Sequence, residues 1–182
     1  TSIGIGIVIF YLFHFTMFGG TFIDIEYLYI LITLFVPLVF LLFPAHKKSP
    51  RDRVPWSDLM LSLLCFTISF YYFLNSNTII YESWEITPPN FAKYGSLLLC
   101  VLILEAGRRT GGNALAIISL FFMLMPTFAS HLPSVLNGAE FPFWMTMSWH
   151  AMGRESILGL PMRVVANILV GFMLFGVALN ST

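Results

Sequence analysis

The sequence contains few charged residues, and this scarcity decides its class. Only 10% of its 182 residues are charged, whereas 58% are hydrophobic and the mean hydropathy is +0.85. Soluble domains carry roughly 25% charged residues, so a soluble globular fold is excluded. The nine basic and nine acidic residues balance to a net charge of zero, which implies no nucleic-acid partner. The composition is that of a membrane protein.

Cysteine and catalytic motifs are also scarce. Cys65 and Cys100 each lie inside an apolar run, where a thiol acts most simply as a small hydrophobic side chain and indicates neither a disulfide framework nor a metal site. The sequence contains no H-E-x-x-H and no G-x-S-x-G, so neither zinc-peptidase nor serine-hydrolase chemistry is indicated. We expect no catalytic residue, metal or bound cofactor in this segment. The four histidines fall on different segments: His14, His46 in a basic loop, and His131 and His150, both interpreted as interfacial.

Long uncharged runs predict an all-α fold, because only helices and closed barrels satisfy the backbone polar groups in lipid. We expect a polytopic membrane helix bundle of about six spans plus one interfacial amphipathic helix. The amphipathic segment carries Phe141, Met145, Trp149 and Met152 at helical spacing. The predicted spans are 3–18, 27–43, 59–74, 91–107, 114–128 and 162–179, and the interfacial helix is 141–155.

Several residues mark the expected ends of these spans. Pro37 is expected to kink the second span, and Pro44 to end it. Ser57 or Asp58 is expected to cap the third helix, with Trp56 anchoring it in the headgroup layer. The polar stretch 75–90 is predicted to be a loop, Asn113 the N-cap of the fifth helix, and Pro161 part of the first turn of the sixth.

Loop charge predicts the orientation in the membrane. Six of the nine Lys and Arg residues fall in the loops 44–56 and 107–113, which alternate topology places on one side. By the positive-inside rule these loops and the N-terminus are cytoplasmic, and the stretch 75–90 is outside. The opposite loops carry Asp24, Glu26, Glu82, Glu85 and Glu140.

In the stretch around Glu105, a predicted apolar helix ends in a group of charged residues. Glu105 lies three and four residues before Arg108 and Arg109, so the acid and both bases share a helix face and can neutralise one another. Gly111 and Gly112 are expected to end the helix in a turn. Two interpretations stay open: a substrate or ion relay, or a self-neutralised helix end that touches a neighbouring subunit or lipid headgroups.

Two further polar residues fall inside the sixth predicted span. Arg163 and Asn167 are four residues apart and share a helix face. Arg163 lies close enough to the helix start to extend its charge to the interface. The alternative is that the side chains of Arg163 and Asn167 face a cavity.

Both ends of the sequence suggest a piece of a longer protein. The first residue is not Met, and the apolar run from Ile3 lacks the charged region that opens a signal peptide. The last hydrophobic helix stops at Asn180-Ser181-Thr182.

Several motifs together resemble the fused permeases of tripartite ATP-independent periplasmic (TRAP) transporters, of the type served by TAXI-class binding proteins. The resemblance covers nearly the whole chain and rests on the order and spacing of motifs that are individually weak. They are F-L-L-F-P (40–44), V-P-W-S-D (54–58), L-E-A-G-R-R-T-G-G (104–112) and G-L-P (159–161) before an F-x-x-F-G helix (172–176).

The resemblance implies a role in the bacterial inner membrane. Residues 1–131 resemble the small Q-type portion, 132–155 a loop and connecting helix, and 156–182 the start of the large M-type portion. In this family the small portion is a scaffold, and the large portion moves a small organic, carboxylate-like solute by a Na⁺-driven elevator motion. The implied partners are the remainder of the large portion or a separate large subunit, a periplasmic substrate-binding protein, and membrane lipids.

The resemblance carries over only scaffold and junction residues. The family's Na⁺-binding and substrate-binding hairpins are expected beyond residue 182, and Arg163 stands where a small residue is expected. Two other hypotheses remain: an integral membrane enzyme or lipid-modifying protein using Glu105, Arg108 and Arg109, and a purely structural subunit. The residues carried over are Trp56, Asp58, Glu105, Arg108, Arg109, Gly159 and Pro161.

Overall fold

The computed structural model describes residues 24–45, 55–133 and 137–169, with the isolated positions 172 and 176. These residues are mostly helical, and no strand occurs among them. The first predicted span, His14, the basic loop with His46, and most of the sixth span after Leu169 lie outside the described residues. The helices are α1 (Asp24–Leu42), α2 (Trp56–Leu74), α3 (Ser76–Tyr81), α4 (Asn90–Leu124), α5 (Phe143–Met152) and α6 (Leu160–Val164).

Three of these helices are long and apolar enough to cross a membrane. They include the segments Ile25–Leu42, Trp56–Leu74 and Asn90–Thr127, with mean hydropathies of 2.3, 1.5 and 1.4. The all-α prediction and the second, third and fourth predicted spans therefore correspond to observed helices. α1 continues through Pro37 and ends at Leu42. Pro161 stands in the first turn of α6, as predicted.

α4 is folded back on itself at Gly112. This glycine has φ 84° and ψ 177°, outside the helical region. Cys100 Sγ lies 3.7 Å from the carbonyl oxygen of Met147, and His150 Nε2 lies 2.9 Å from that of Met123. On a straight helix Cys100 and Met123 would be about 35 Å apart, whereas Met147 and His150 are about 5 Å apart along α5.

The contacts to α5 therefore define two antiparallel arms of α4. The first arm (90–111) is about 33 Å long and matches a bilayer core of about 30 Å, whereas the second arm (113–124) is only about 18 Å long. The predicted turn at Gly111 and Gly112 is present. The second arm continues into the short 3₁₀ helices Met125–Thr127 and Ala129–His131.

Buried tyrosines join the helices away from the Gly112 turn. The rings of Tyr29 and Tyr72 stack at 5.7 Å. Tyr29 donates a 3.0 Å hydrogen bond to the carbonyl of Ala151, and Tyr72 donates one of 2.9 Å to the carbonyl of Ala92. In an apolar interior an unpaired hydroxyl is unfavourable, so these bonds fix which helix faces meet.

Two parts of the fold differ from the sequence prediction. The stretch 75–90, predicted to be a loop, contains the short helix α3. α5 forms within the predicted amphipathic segment, but of the predicted apolar stripe only Met152 is buried, while Phe141 and Trp149 are exposed. The side that packs into the core consists of Thr146, Met147, Ser148, Ala151 and Met152. Alternating Met, Trp and small polar residues do not specify which side of a helix is buried.

We expect Gly112→Ala to lower the stability of the folded chain. A side chain at φ 84° is strained by about 1–3 kcal/mol, because this backbone region favours glycine. Thermal unfolding in detergent measures the effect. Gly107→Ala is the matched control, since a Cβ at Gly107 meets no atom within 4 Å and alanine favours the helix. Equal melting temperatures for the two variants would contradict the turn.

Candidate functional site

The most polar buried cluster lies where α1 ends, α2 begins and the first arm of α4 ends. Its centre is Arg109, whose side chain is only 2% exposed. The guanidinium donates to Asp58 Oδ1 at 2.8 Å, to Glu105 Oε1 at 2.9 Å and to the carbonyl of Phe43 at 3.1 Å. Each of its three nitrogens thus contacts a different acceptor. The planar, permanently charged guanidinium suits this arrangement better than an ammonium group.

Arg108 completes the cluster from the same helix. Its Nε and Nη2 each lie 2.7 Å from an oxygen of Glu105, a bidentate pair, and Nη2 also contacts the carbonyl of Ala45 at 3.3 Å. The predicted sharing of one helix face by Glu105, Arg108 and Arg109 is therefore confirmed. We call Asp58, Glu105, Arg108 and Arg109 the arginine cluster.

The cluster contacts backbone carbonyls just beyond the end of α1. Arg108 and Arg109 donate to the carbonyls of Ala45 and Phe43, which follow the last helical residue, Leu42. The helix dipole also stabilises the positive charges of the arginines near the C-terminus of α1. It likewise stabilises the negative charge of Asp58 in the first turn of α2. The cluster thus binds the ends of α1 and α2 to α4.

The predicted N-cap of α2 is wrong. Pro55 occupies the cap position, and no side chain caps the helix. The Asp58 carboxylate, 3% exposed, instead accepts from Arg109. α2 already begins at Trp56, so Asp58 lies within its first turn and pairs with Arg109 instead of capping the helix.

Apolar side chains seal the cluster on its inner side. The Phe40 ring lies under the Arg109 guanidinium, with 5.0 Å between the guanidinium carbon and the ring centroid, a cation–π geometry. Phe40 packs in a buried group with Cys65, Leu102 and Ala106. Because the side chains of Arg109 and Asp58 are only 2% and 3% exposed, their ion pair acts at a lower local dielectric than in water.

The other predicted site residues lie elsewhere. Trp56 is near the cluster in sequence, but its side chain is 81% exposed at the start of α2. Gly159 and Pro161 stand at the start of α6. A Cβ at Gly159 would lie 2.7 Å from the carbonyl oxygen of Ser156, so the tight approach of the backbone requires glycine. Arg163 donates to the carbonyl of Leu158 at 3.3 Å, and the side chain of Asn167 lies outside the described residues.

His150 occupies a place that the sequence does not predict. Instead of an interfacial position, its ring lies between the second arm of α4 and the chain that follows α5. Nε2 is 2.9 Å from the carbonyl of Met123, and Nδ1 is 2.5 Å from Ser156 Oγ. These contacts fit a neutral ring whose Nε2–H donates to the carbonyl while Nδ1 accepts from the hydroxyl. Burial lowers the pKa of His150, against a smaller raising effect of the hydrogen bond to Met123.

The arginine cluster is arranged for structure more than for chemistry. Both carboxylates accept from arginines, so neither is free to act as a base or nucleophile without breaking an ion pair. Among the described residues, no group of three His, Cys, Asp or Glu side chains is placed to hold a metal ion. No family model, curated protein or solved structure matches the chain.

We expect Asp58→Asn to destabilise the bundle more than Glu105→Gln. The neutral amide in place of the Asp58 carboxylate would leave Arg109 buried with one ion partner fewer, and breaking a buried pair costs about 3–5 kcal/mol. Glu105 is 27% exposed, so solvent screens its pairs and its loss costs about 1 kcal/mol. Unfolding by denaturing detergent measures both. The reverse order would contradict the assignment of Arg109 and Asp58 as the buried pair.

We expect the chain to lose stability on acidification through His150. Its pKa in the folded state is below the ordinary value of 6.5, so below pH 6.5 the unfolded chain takes up a proton that the folded chain does not. The contribution of neutral His150 to the free energy of unfolding is therefore fully present above pH 6.5. It falls as the pH drops, by at most about 1.4 kcal/mol per pH unit. Melting temperatures at pH 7.5 and 5.5 measure the difference.

The His150→Gln variant should show a smaller loss between these two pH values. His131→Gln is the control, because the His131 side chain is 79% exposed, and it should behave as wild type. An unchanged pH dependence in His150→Gln would show that other groups are responsible.

Proposed function

We propose that this chain is the scaffold component of a TRAP-type secondary transporter in a bacterial inner membrane. The observation that carries the proposal is the arginine cluster: Arg109 directs its guanidinium at groups from the ends of α1 and α2 and from α4 itself. Such an arrangement holds helices together and keeps both carboxylates of the cluster in ion pairs. The motifs that resemble the fused permeases include Asp58, Glu105, Arg108 and Arg109.

The proposed orientation places the arginine cluster at the cytoplasmic surface. The Gly112 turn lies at this end of the bundle, as do Ala45 and Pro55, which flank the basic stretch in the sequence, and this agrees with the positive-inside rule. Trp56, exposed beside the cluster, suits the inner headgroup layer. At the opposite ends of the long helices, the exposed Tyr94 contacts Trp144 at 5.3 Å between ring centroids, a pairing typical of the outer interface.

In this proposal the chain braces a transport machinery that it does not contain. Solute and Na⁺ bind in the large portion beyond residue 182, and a periplasmic binding protein delivers the small carboxylate-like solute. Residues 1–131 form the small portion, 132–155 the connection and 156–182 the start of the large portion. The second arm of α4 leaves an apolar surface for lipid or for the large portion, with Ile117 68% and Phe122 61% exposed.

Reconstitution into liposomes tests this function. The chain is expressed together with its flanking coding sequence and the neighbouring binding protein, and solute uptake is measured with and without a Na⁺ gradient. We expect uptake that requires both the gradient and the binding protein, and none from residues 1–182 alone. Failure of the full assembly to transport any carboxylate would contradict the proposal.

The Glu105→Gln variant distinguishes the scaffold hypothesis from the hypothesis of an integral membrane enzyme. As part of a scaffold, Glu105 contributes modestly to assembly, so the variant should weaken the co-purification of the large portion slightly or leave it unchanged, and any transport loss should follow the loss of assembly. An enzyme that uses Glu105 would lose its activity while assembly stays intact. That second result would contradict the scaffold role.

A further inference from the structure

The second arm of α4 is exposed on every side. From Gly111 to Phe122 each residue is exposed except Ala116, which is half-buried. Successive residues of a helix are turned by about 100°, so the apolar side chains of this arm point in all directions. A helix that is apolar all round requires an apolar surrounding on each of its sides. The exposed fractions are 48% for Leu115, 68% for Ile117, 55% for Ile118, 42% for Leu120, 50% for Phe121 and 61% for Phe122.

Even the side of the second arm that faces the first arm is uncovered. Ser119 and Phe122 line a cavity of about 280 Å³, and the first arm forms its other wall through Cys100 and Leu104. Leu115 lies four residues before Ser119 and seven before Phe122, and therefore shares their helix face. All three residues are exposed, so a crevice separates the two arms here instead of a packed interface. We call this space the inter-arm crevice.

A glycine extends the inter-arm crevice towards the turn. Gly107 lies three residues after Leu104 and four after Ile103, on the face of the first arm that lines the cavity. A Cβ at Gly107 would meet no atom within 4 Å, so open space continues beside it. From Gly112 to Met123, which also lines the cavity, the second arm rises about 16 Å. The crevice therefore has about the depth of one leaflet, because the hydrocarbon core of a bilayer is about 30 Å thick.

The end of the crevice away from the turn is closed by polar groups that are already paired. His150 and Ser156 line the cavity there. The His150 ring lies 2.5 Å from Ser156 Oγ and 2.9 Å from the carbonyl of Met123, so both of its nitrogens are occupied. Apart from Ser119, the other described lining residues are aliphatic, aromatic or sulfur-containing, and none of them is charged. Such a lining favours hydrocarbon over a polar ligand.

From these observations we propose that the inter-arm crevice binds an acyl chain of a membrane phospholipid. The acyl chain enters from the leaflet on the side of the Gly112 turn and runs past Gly107 and Leu115 towards His150. An apolar cavity of about 150 Å³ holds benzene, so the space here is sufficient for a segment of a hydrocarbon chain. The acyl chain covers the side of the second arm that the first arm leaves exposed. This inference rests on the first arm crossing the bilayer and is independent of any transport role.

Spin labelling of the full chain in phosphatidylcholine vesicles tests what fills the crevice. Nitroxides are introduced singly at Ser119 and at Ile117 in a Cys65→Ala, Cys100→Ala background, and their collision rates with oxygen and with an aqueous nickel chelate are measured. Ile117, 68% exposed on the opposite face of the second arm, is the lipid-facing control. We expect the label at residue 119 to match this control, with oxygen accessibility several-fold above nickel accessibility.

The two other outcomes of the labelling overturn the proposal. Nickel accessibility at residue 119 several-fold above that at residue 117 would show that water fills the crevice. Low accessibility to both reagents would show that protein closes it.

Lipid retention tests whether the acyl chain is held in the crevice. The full chain is extracted from phosphatidylcholine vesicles in mild detergent, and bound phospholipid is counted by native mass spectrometry. Gly107→Leu places a side chain in the open space beside the first arm, and we expect it to reduce the bound phospholipid several-fold relative to the wild type. Ile117→Trp is the matched control, because it enlarges a side chain on the opposite face of the second arm, and it should retain the wild-type amount.

Equal retention by Gly107→Leu and the wild type would show that the phospholipid binds elsewhere on the surface and would overturn the proposal. A wild-type chain without bound phospholipid would do the same. Ser119→Leu narrows the crevice from the second arm and replaces Gly107→Leu if that variant does not purify as a single species.

Discussion

The guanidinium of Arg109 is the group on which the arrangement of the long helices depends. A buried cation is tolerated only when it is paired, and its partners come from three separate parts of the chain: Asp58 on α2, Glu105 on α4 and the carbonyl of Phe43 after α1. Hydrophobic burial alone allows apolar helices to slide and rotate against one another. The directed bonds of one planar group fix the relative height and rotation of the three helix ends.

The tyrosines provide the same kind of constraint elsewhere in the bundle. Tyr27, Tyr29 and Tyr72 present apolar rings to the core, while each hydroxyl donates to a backbone carbonyl of another segment. The bonds of Tyr27 and Tyr29 hold the chain after the second arm against α1. The bundle is therefore fixed by charge near the Gly112 turn and by neutral hydrogen bonds nearer its opposite end.

Much of this fold follows from local sequence patterns. The length of the apolar runs predicts α1, α2 and the first arm of α4. The spacing of three and four residues predicts that Glu105 pairs with Arg108 and Arg109. Two consecutive glycines predict the turn at Gly112, because one of them adopts a backbone conformation that other residues rarely adopt.

The remaining features depend on contacts between residues distant in sequence. Asp58 and Arg109 are 51 residues apart, so local sequence favours a cap role for Asp58 over the buried ion pair. His150 and Met123 are likewise joined only by the fold. The buried face of α5 does not follow from the sequence because its methionines and tryptophans occur on both sides of the helix, and packing against α4 decides which side is covered.

A double-mutant cycle between Asp58 and Arg109 tests the central claim most directly. Asp58→Asn, Arg109→Gln and the double variant are compared with the wild type by their free energies of unfolding in detergent. If the two side chains form the buried pair, the double variant is less destabilised than the sum of the single variants, with a coupling energy of about 1–3 kcal/mol. Additive effects, with a coupling energy near zero, would contradict the account.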